Sequence, residues 1–234
     1  MALVWFSWSL LLLAIWGLVY AVLKSPESRH EMLVVSAWTS LLAVTEPLFV
    51  PAYWNPPSLF GLAQSTGFDI ESFIFSFAIG GLAVVLYELV TPVRHEAIPA
   101  TSRAHLYHPL ALVFTPLLFV AITLLTRINP IYSAILALLS GGCLVLAVRW
   151  DLRRKMFGSA VIFLGLYTAY FLTLVISATG YVGQVWNLKA LSGLEVLGIP
   201  LEELAFAFSF GFFWSGVYEY ALFKRLRREK VRER

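Results

Sequence analysis

The sequence is poor in charge and almost free of cysteine: 13% of its 234 residues are Asp, Glu, Lys or Arg, and Cys143 is the single cysteine. One cysteine excludes an intramolecular disulfide, and no Cys/His group has the spacing of a structural zinc site. A glycine-rich strand-turn-helix phosphate motif is also missing, which argues against a bound dinucleotide, so no cofactor is expected. Nothing in the composition points to nucleic acid. What fills the chain instead is apolar: 59% of residues are hydrophobic, against about 45–50% in an ordinary soluble domain. Apolar runs near the length of about 20 residues that spans a bilayer recur along the whole chain, leaving no room for a separate extramembrane domain.

Polar, Pro-rich and Gly-rich breaks divide the runs into seven expected helices near 3–23, 32–53, 69–92, 109–126, 130–150, 157–180 and 201–224. The first, Leu3 to Leu23, lacks a basic leader and a small-residue cleavage site, and is expected to be a retained helix. The expected class is all-α, a polytopic membrane protein with seven transmembrane helices. Alternating the loops between two sides puts fifteen of the seventeen Lys and Arg residues on one side and only Arg127 and Lys189 on the other. By the positive-inside rule the N-terminus lies outside and the C-terminus in the cytoplasm. The basic tail, Lys224 to Arg234, fixes orientation and is suited to anionic membrane lipids.

The chain also matches itself. Trp54-Asn55 aligns with Trp186-Asn187, and Glu71, Phe75, Phe77, Tyr87 and Glu88 align with Glu202, Phe206, Phe208, Tyr218 and Glu219. The chain therefore reads as a first three-helix repeat over 1–92, a connector with the fourth helix over 93–129, a second repeat over 130–224 and a basic tail over 225–234. An odd linker helix keeps two such copies parallel, so equivalent residues meet at one central interface. A ligand there would be elongated, or have two similar ends, and be apolar enough to arrive from lipid.

Charged groups inside spans cost about 2.5–3.5 kcal/mol each on insertion scales and are functional candidates for that reason. Glu46, Glu71, Glu202 and Glu203 fall in the outer halves of their helices, and Glu88 and Glu219 near the cytoplasmic ends. Helix initiation explains part of the outer group, since Asp69 suits an N-cap and Pro200 a first turn. A pair of carboxyls facing an apolar interior can instead keep one proton at neutral pH and donate it. For Glu88 and Glu219 the plainer reading is structural pairing near the basic surface. Among the aromatics, Phe75, Phe77, Phe206, Phe208, Trp54 and Trp186 are candidates to bind substrate, because ring faces stabilise cations; packing, lipid contact and an interfacial belt are the competing roles. His95, His105 and His108 share the loop before the fourth helix. With no further ligand but Glu96, that loop reads as solvated, and no metal is expected.

The stretch Gly198-Ile199-Pro200-Leu201-Glu202-Glu203-Leu204-Ala205-Phe206, following a Trp-Asn loop, resembles the membrane-embedded lycopene cyclases of the heterodimeric or fused type, whose motif is Pro-x-Glu-Glu/Asp. The second copy carries the motif at Pro200, Glu202 and Glu203, whereas the first, Asp69-Ile70-Glu71-Ser72, keeps only its leading Glu. The resemblance implies a cyclase of carotenoid biosynthesis acting on a lipid-soluble polyene in a cell membrane, of prokaryotic type. The implied reaction protonates a terminal double bond, closes a ring on the cation and ends by proton loss, with no net redox change. Glu202 or Glu203 would be the acid and the other its partner, with Glu71 or Glu46 available as a base. A proton-coupled transporter is the main reading of another class, and a non-cyclase carotenoid-binding relative a third. A retinal-binding receptor would need a mid-membrane lysine, whereas Lys24, Lys155, Lys189 and Lys224 all fall in loops or at span ends and Lys230 lies in the tail. Homo-oligomerisation stays open.

Overall fold

In the computed structural model, residues 2–99 and 108–228 are described. Helix α1 (Ala2–Val22) is followed by α2 (Pro26–Ser40). The start of α2 comes from local chemistry that hydropathy does not register. Ser25 accepts the Ser28 N–H as N-cap and Pro26 takes the first helical position, so the polar turn holding Arg29 and Glu31 is helical rather than loop. The run tightens into a 3-10 turn, Leu41–Thr45, before α3 (Glu46–Phe49). Pro47 accounts for the change, because its ring presses on the carbonyl four residues back and it has no N–H to give.

A loop carrying α4 (Leu62–Thr66) leads to α5 (Ile70–Val90), whose N-cap Asp69 accepts the Ser72 N–H. Then come β1 (Val93–Ala97), α6 (His108–Leu125), α7 (Pro130–Val148) and α8 (Arg153–Ser177). Helix α9 (Tyr181–Val185) and the small antiparallel pair β2 (Glu195–Val196) and β3 (Ile199–Pro200) precede α10 (Leu201–Trp214), α11 (Val217–Ala221) and β4 (Lys224–Arg228). Strands β1 and β4 pair antiparallel, with His95 opposite Leu226, so residues expected in the connector and at the start of the basic tail form a short ribbon instead.

Among the described residues, five helical segments are long and apolar enough to cross a membrane: Leu3–Val22, Pro26–Phe49, Ile70–Val90, Pro130–Val148 and Trp150–Ser177. The apolar part of α6, Leu112–Leu125, is shorter, and the last expected span is divided between α10 and α11 at Ser215-Gly216.

Helix α5 packs on α2 and α1, α10 packs on α8 and α7, α6 packs on α7, and α5 meets α8. Two of these crossings are close because glycine makes them so. A Cβ on Gly80 or Gly81 would collide with Thr39 or Ser36 of α2, and one on Gly211 would press on Ser159 and Ala160 of α8. Such overpacking costs about 1–3 kcal/mol. Between the two groups of helices the loops touch reciprocally: Asn55 N–H donates to Val185 O at 2.8 Å, Asn187 N–H donates to Tyr53 O at 2.9 Å, and Trp54 and Trp186 form a β-bridge.

Candidate active site

These helices enclose a cavity of about 480 Å³. Its wall is aromatic and apolar, including Trp8, Phe49, Trp54, Phe75, Phe119, Trp186, Phe206, Phe210 and Trp214. Leu42, Leu48 and Val120 belong to both the cavity wall and the exposed apolar surface, so the cavity opens sideways between the 41–49 segment and α6. Among the described residues the wall contains two carboxyls, Glu46 and Glu203, and no Lys, Arg or His.

The two carboxyls have opposite surroundings. Glu203, 5% exposed, sits in the first turn of α10 and is held by three donors. Trp186 Nε1 donates to Oε1 at 2.7 Å, Tyr53 Oη donates to the same oxygen, and Tyr167 Oη donates to Oε2 at 2.6 Å. Hydrogen bonds to a charged group are worth about 1.5–3 kcal/mol each, so the trio fixes both position and acceptor character. Glu46, 8% exposed, projects from the α3 turn that Pro47 imposes. Its polar neighbours are Asp69, Ser72 and Trp54, and its Oε1 has no hydrogen-bond partner.

Of the other candidate acids, Glu71 and Glu202 are buried outside the cavity wall and do the same local job. Glu71 accepts the Leu59 N–H at 2.8 Å, and Glu202 accepts the Ser192 N–H at 2.8 Å and the Tyr132 hydroxyl at 2.6 Å. Each ties down the loop before its own helix. Phe75, Phe206, Trp54 and Trp186 line the cavity, whereas Phe77 packs on Trp16 and Phe208 stacks on Phe212. Ser72, which aligns with Glu203 in the internal match, lines the cavity too.

A second constellation lies at the other ends of the helices. Lys155 of α8 is buried, and its Nζ reaches Glu31 at 2.8 Å, Glu88 at 2.7 Å and Glu219 at 2.6 Å. Ser28 Oγ donates to Glu88 Oε2 at 2.6 Å. From β1, His95 Nε2 lies 3.0 Å from Glu31, 3.3 Å from Glu88 and 3.1 Å from Glu219. Burial disfavours the charged imidazole, but the hydrogen bonds with Glu219, Glu31 and Glu88 outweigh it and push its pKa up to about 12. The carboxylate and imidazole atoms lie within 4.8 Å of one another, in the manner of a metal site, but the Lys155 ammonium already sits among the three carboxylates. The pairing expected for Glu88 and Glu219 is present. Glu31 and Lys155 were not expected in it, since the hydropathy boundaries at 32 and 157 leave both outside the helices; the Ser25-Pro26 cap was the signal that would have recovered Glu31. Lys155 is thus a buried partner rather than a cytoplasmic surface charge. His105 falls outside the described residues.

The fold and the cavity fit a helical membrane protein with an apolar chamber armed by carboxyls. Residues 129–221, from the residue before α7 to the end of α11, match the family model described as Lycopene cyclase. Over that stretch the resemblance to the lycopene cyclase family is shown, and it takes in Pro200, Glu202 and Glu203. No curated protein and no solved structure matches the chain.

Proposed function

We propose that the chain is a carotenoid cyclase that closes a ring at the end of a linear, lycopene-like polyene by acid chemistry, without net redox change and without a cofactor. One observation carries the reading: a cavity with aromatic walls, open toward the lipid-facing surface, holds two buried carboxyls and no basic side chain among the described residues. A hydrocarbon enters such a chamber without losing hydrogen bonds. Ring faces stabilise a developing carbocation by about 0.5–2 kcal/mol each when desolvated, and carboxyls give and take the proton. The volume lies in the range of about 300–1,000 Å³ that buries a drug-sized ligand, so it accepts one end of a long polyene while the rest stays in lipid.

The wider architecture belongs to this proposal. The chain crosses the membrane seven times, with α6 as the fourth crossing and α10 with α11 as the seventh, and it consists of two parallel three-helix copies. Three features support the copies. Helices α1, α2 and α5 pack as α7, α8 and α10 do, Gly80 and Gly211 occupy the same close crossing, and the two Trp-Asn loops exchange hydrogen bonds. The charge distribution supports an outside N-terminus and a cytoplasmic C-terminus; that the membrane is a prokaryotic cell membrane is part of the same proposal. A C-terminal reporter checks orientation, and an external tail would overturn it. The activity is tested with purified protein in lipid vesicles loaded with lycopene, followed by chromatography. Conversion to a ring-bearing isomer of equal mass is expected, and unchanged lycopene with folded protein would remove the assignment.

A further inference from the structure

We infer that the two carboxyls of the cavity divide the proton work: Glu46 is the acid that starts the reaction, and Glu203 is the carboxylate that ends it. The inference rests on the cyclase reading above and assigns roles within it. It differs from the expectation drawn from the Pro-x-Glu-Glu motif, which placed the acid at Glu202 or Glu203.

Glu202 is removed from the reacting atoms by position, since it lies outside the cavity wall and its carboxyl holds Tyr132 and the Ser192 backbone. Glu203 is favoured as an acceptor, and so as the carboxylate, by its partners. The indole N–H of Trp186 can only donate, so Oε1 must accept; Tyr53 donates to that same oxygen and Tyr167 to the other. All three bonds are satisfied together when Glu203 carries no proton. Glu46 has the reverse environment: its Oε1 is buried without a donor, and no cationic side chain lines the chamber among the described residues. A bare carboxylate oxygen in such a place forfeits solvation that a carboxylic acid needs far less.

The chemistry balances on these two groups. The O–H bond of Glu46 breaks as its proton forms a C–H bond at the terminal double bond, leaving a tertiary cation. The electron pair of an internal double bond then forms the ring C–C bond and moves the cation into the ring. A ring C–H proton passes to the Glu203 carboxylate, and its electron pair restores a double bond. Glu46 is left ionised and Glu203 protonated. One proton passed back between them restores the starting state, so atoms and electrons are conserved over the cycle.

Two measurements test the division. Infrared spectra of the purified protein at neutral pH, exchanged between H₂O and D₂O, report the C=O stretch of protonated carboxyls independently of any substrate. Glu46→Gln is expected to remove one such band, and Glu203→Gln to leave it. In vesicles with lycopene, Glu46→Gln is expected to lose at least a hundredfold in substrate consumption, in keeping with general acid catalysis. Glu46→Asp should recover part of it, and Glu203→Gln should still consume lycopene but give an altered distribution of double-bond isomers. A band lost with Glu203→Gln rather than Glu46→Gln, or wild-type consumption by Glu46→Gln, would overturn the assignment. If wild-type protein leaves lycopene untouched, the cyclase reading fails, while the infrared result still decides which carboxyl carries the proton.

Discussion

The two ends of the helix bundle use the same residue type to opposite effect. Around Lys155, three glutamates lie 2.6–2.8 Å from one shared ammonium, with His95 adding a second cationic partner from β1. Around the cavity, Glu46 and Glu203 face aromatic walls with no cation among the described residues. Buried charge that is paired costs little further and does no chemistry, whereas a buried carboxyl left facing an apolar chamber is a proton source or sink. Position in the internal match does not separate these roles. Glu71 and Glu202 align and both anchor loops, Glu88 and Glu219 align and both grip Lys155, while Ser72 and Glu203 align and differ in chemistry.

The comparison is broken most forcefully at the paired end. Lys155→Met leaves three buried glutamates with His95, and Ser28 at Glu88, as their remaining partners, a loss of about 3–5 kcal/mol. The expected outcome is a large fall in melting temperature and yield in detergent, and an unchanged melt would show that the network bears little of the stability. At the cavity end, Tyr167→Phe removes one donor from Glu203, worth about 1.5–3 kcal/mol or roughly 10- to 100-fold in turnover, with a much smaller change in melting. Equal losses in both readouts would make Tyr167 a packing residue.

A finer distinction comes from pH. The pKa of His95 is raised in the folded protein, from an ordinary 6.5 to about 12, so its pairing adds stability that is complete below 6.5 and fades as pH rises toward 12. The melting difference between wild type and His95→Gln is expected to be widest in acid and to narrow with rising pH; a difference that grows with pH would reverse the sign. The smallest effect is expected from Glu202→Gln. An amide oxygen can still accept the Ser192 N–H, so cyclisation per folded molecule should fall by less than the hundredfold expected for an acid. A complete loss would return Glu202 to the chemistry.

Much of this contrast is written in the chain, and the missing part has identifiable causes. Hydropathy places the helices because lipid demands long apolar runs, and the repeated Trp-Asn and Tyr-Glu elements mark the loops and ends that meet. Helix boundaries do not follow hydropathy alone: the Ser25-Pro26 cap draws Glu31 into α2, and α8 begins at Arg153, so that Lys155 falls inside it. The partners of Glu203 come from three separate segments, at Tyr53, Tyr167 and Trp186, and only folding brings them together. Nor does a motif such as Pro-x-Glu-Glu say which of its adjacent side chains points inward. Helical geometry turns Glu203 to the cavity and Glu202 to the 192 loop.

The contrast between the two ends is tested most directly by measuring lycopene turnover per folded molecule and melting temperature together for Glu46→Gln and Glu31→Gln. The expected result is that Glu46→Gln abolishes turnover with its melt nearly unchanged, while Glu31→Gln lowers the melt and keeps turnover per folded molecule. The reverse pattern, with turnover lost at the Lys155 cluster and retained at the cavity, would contradict it.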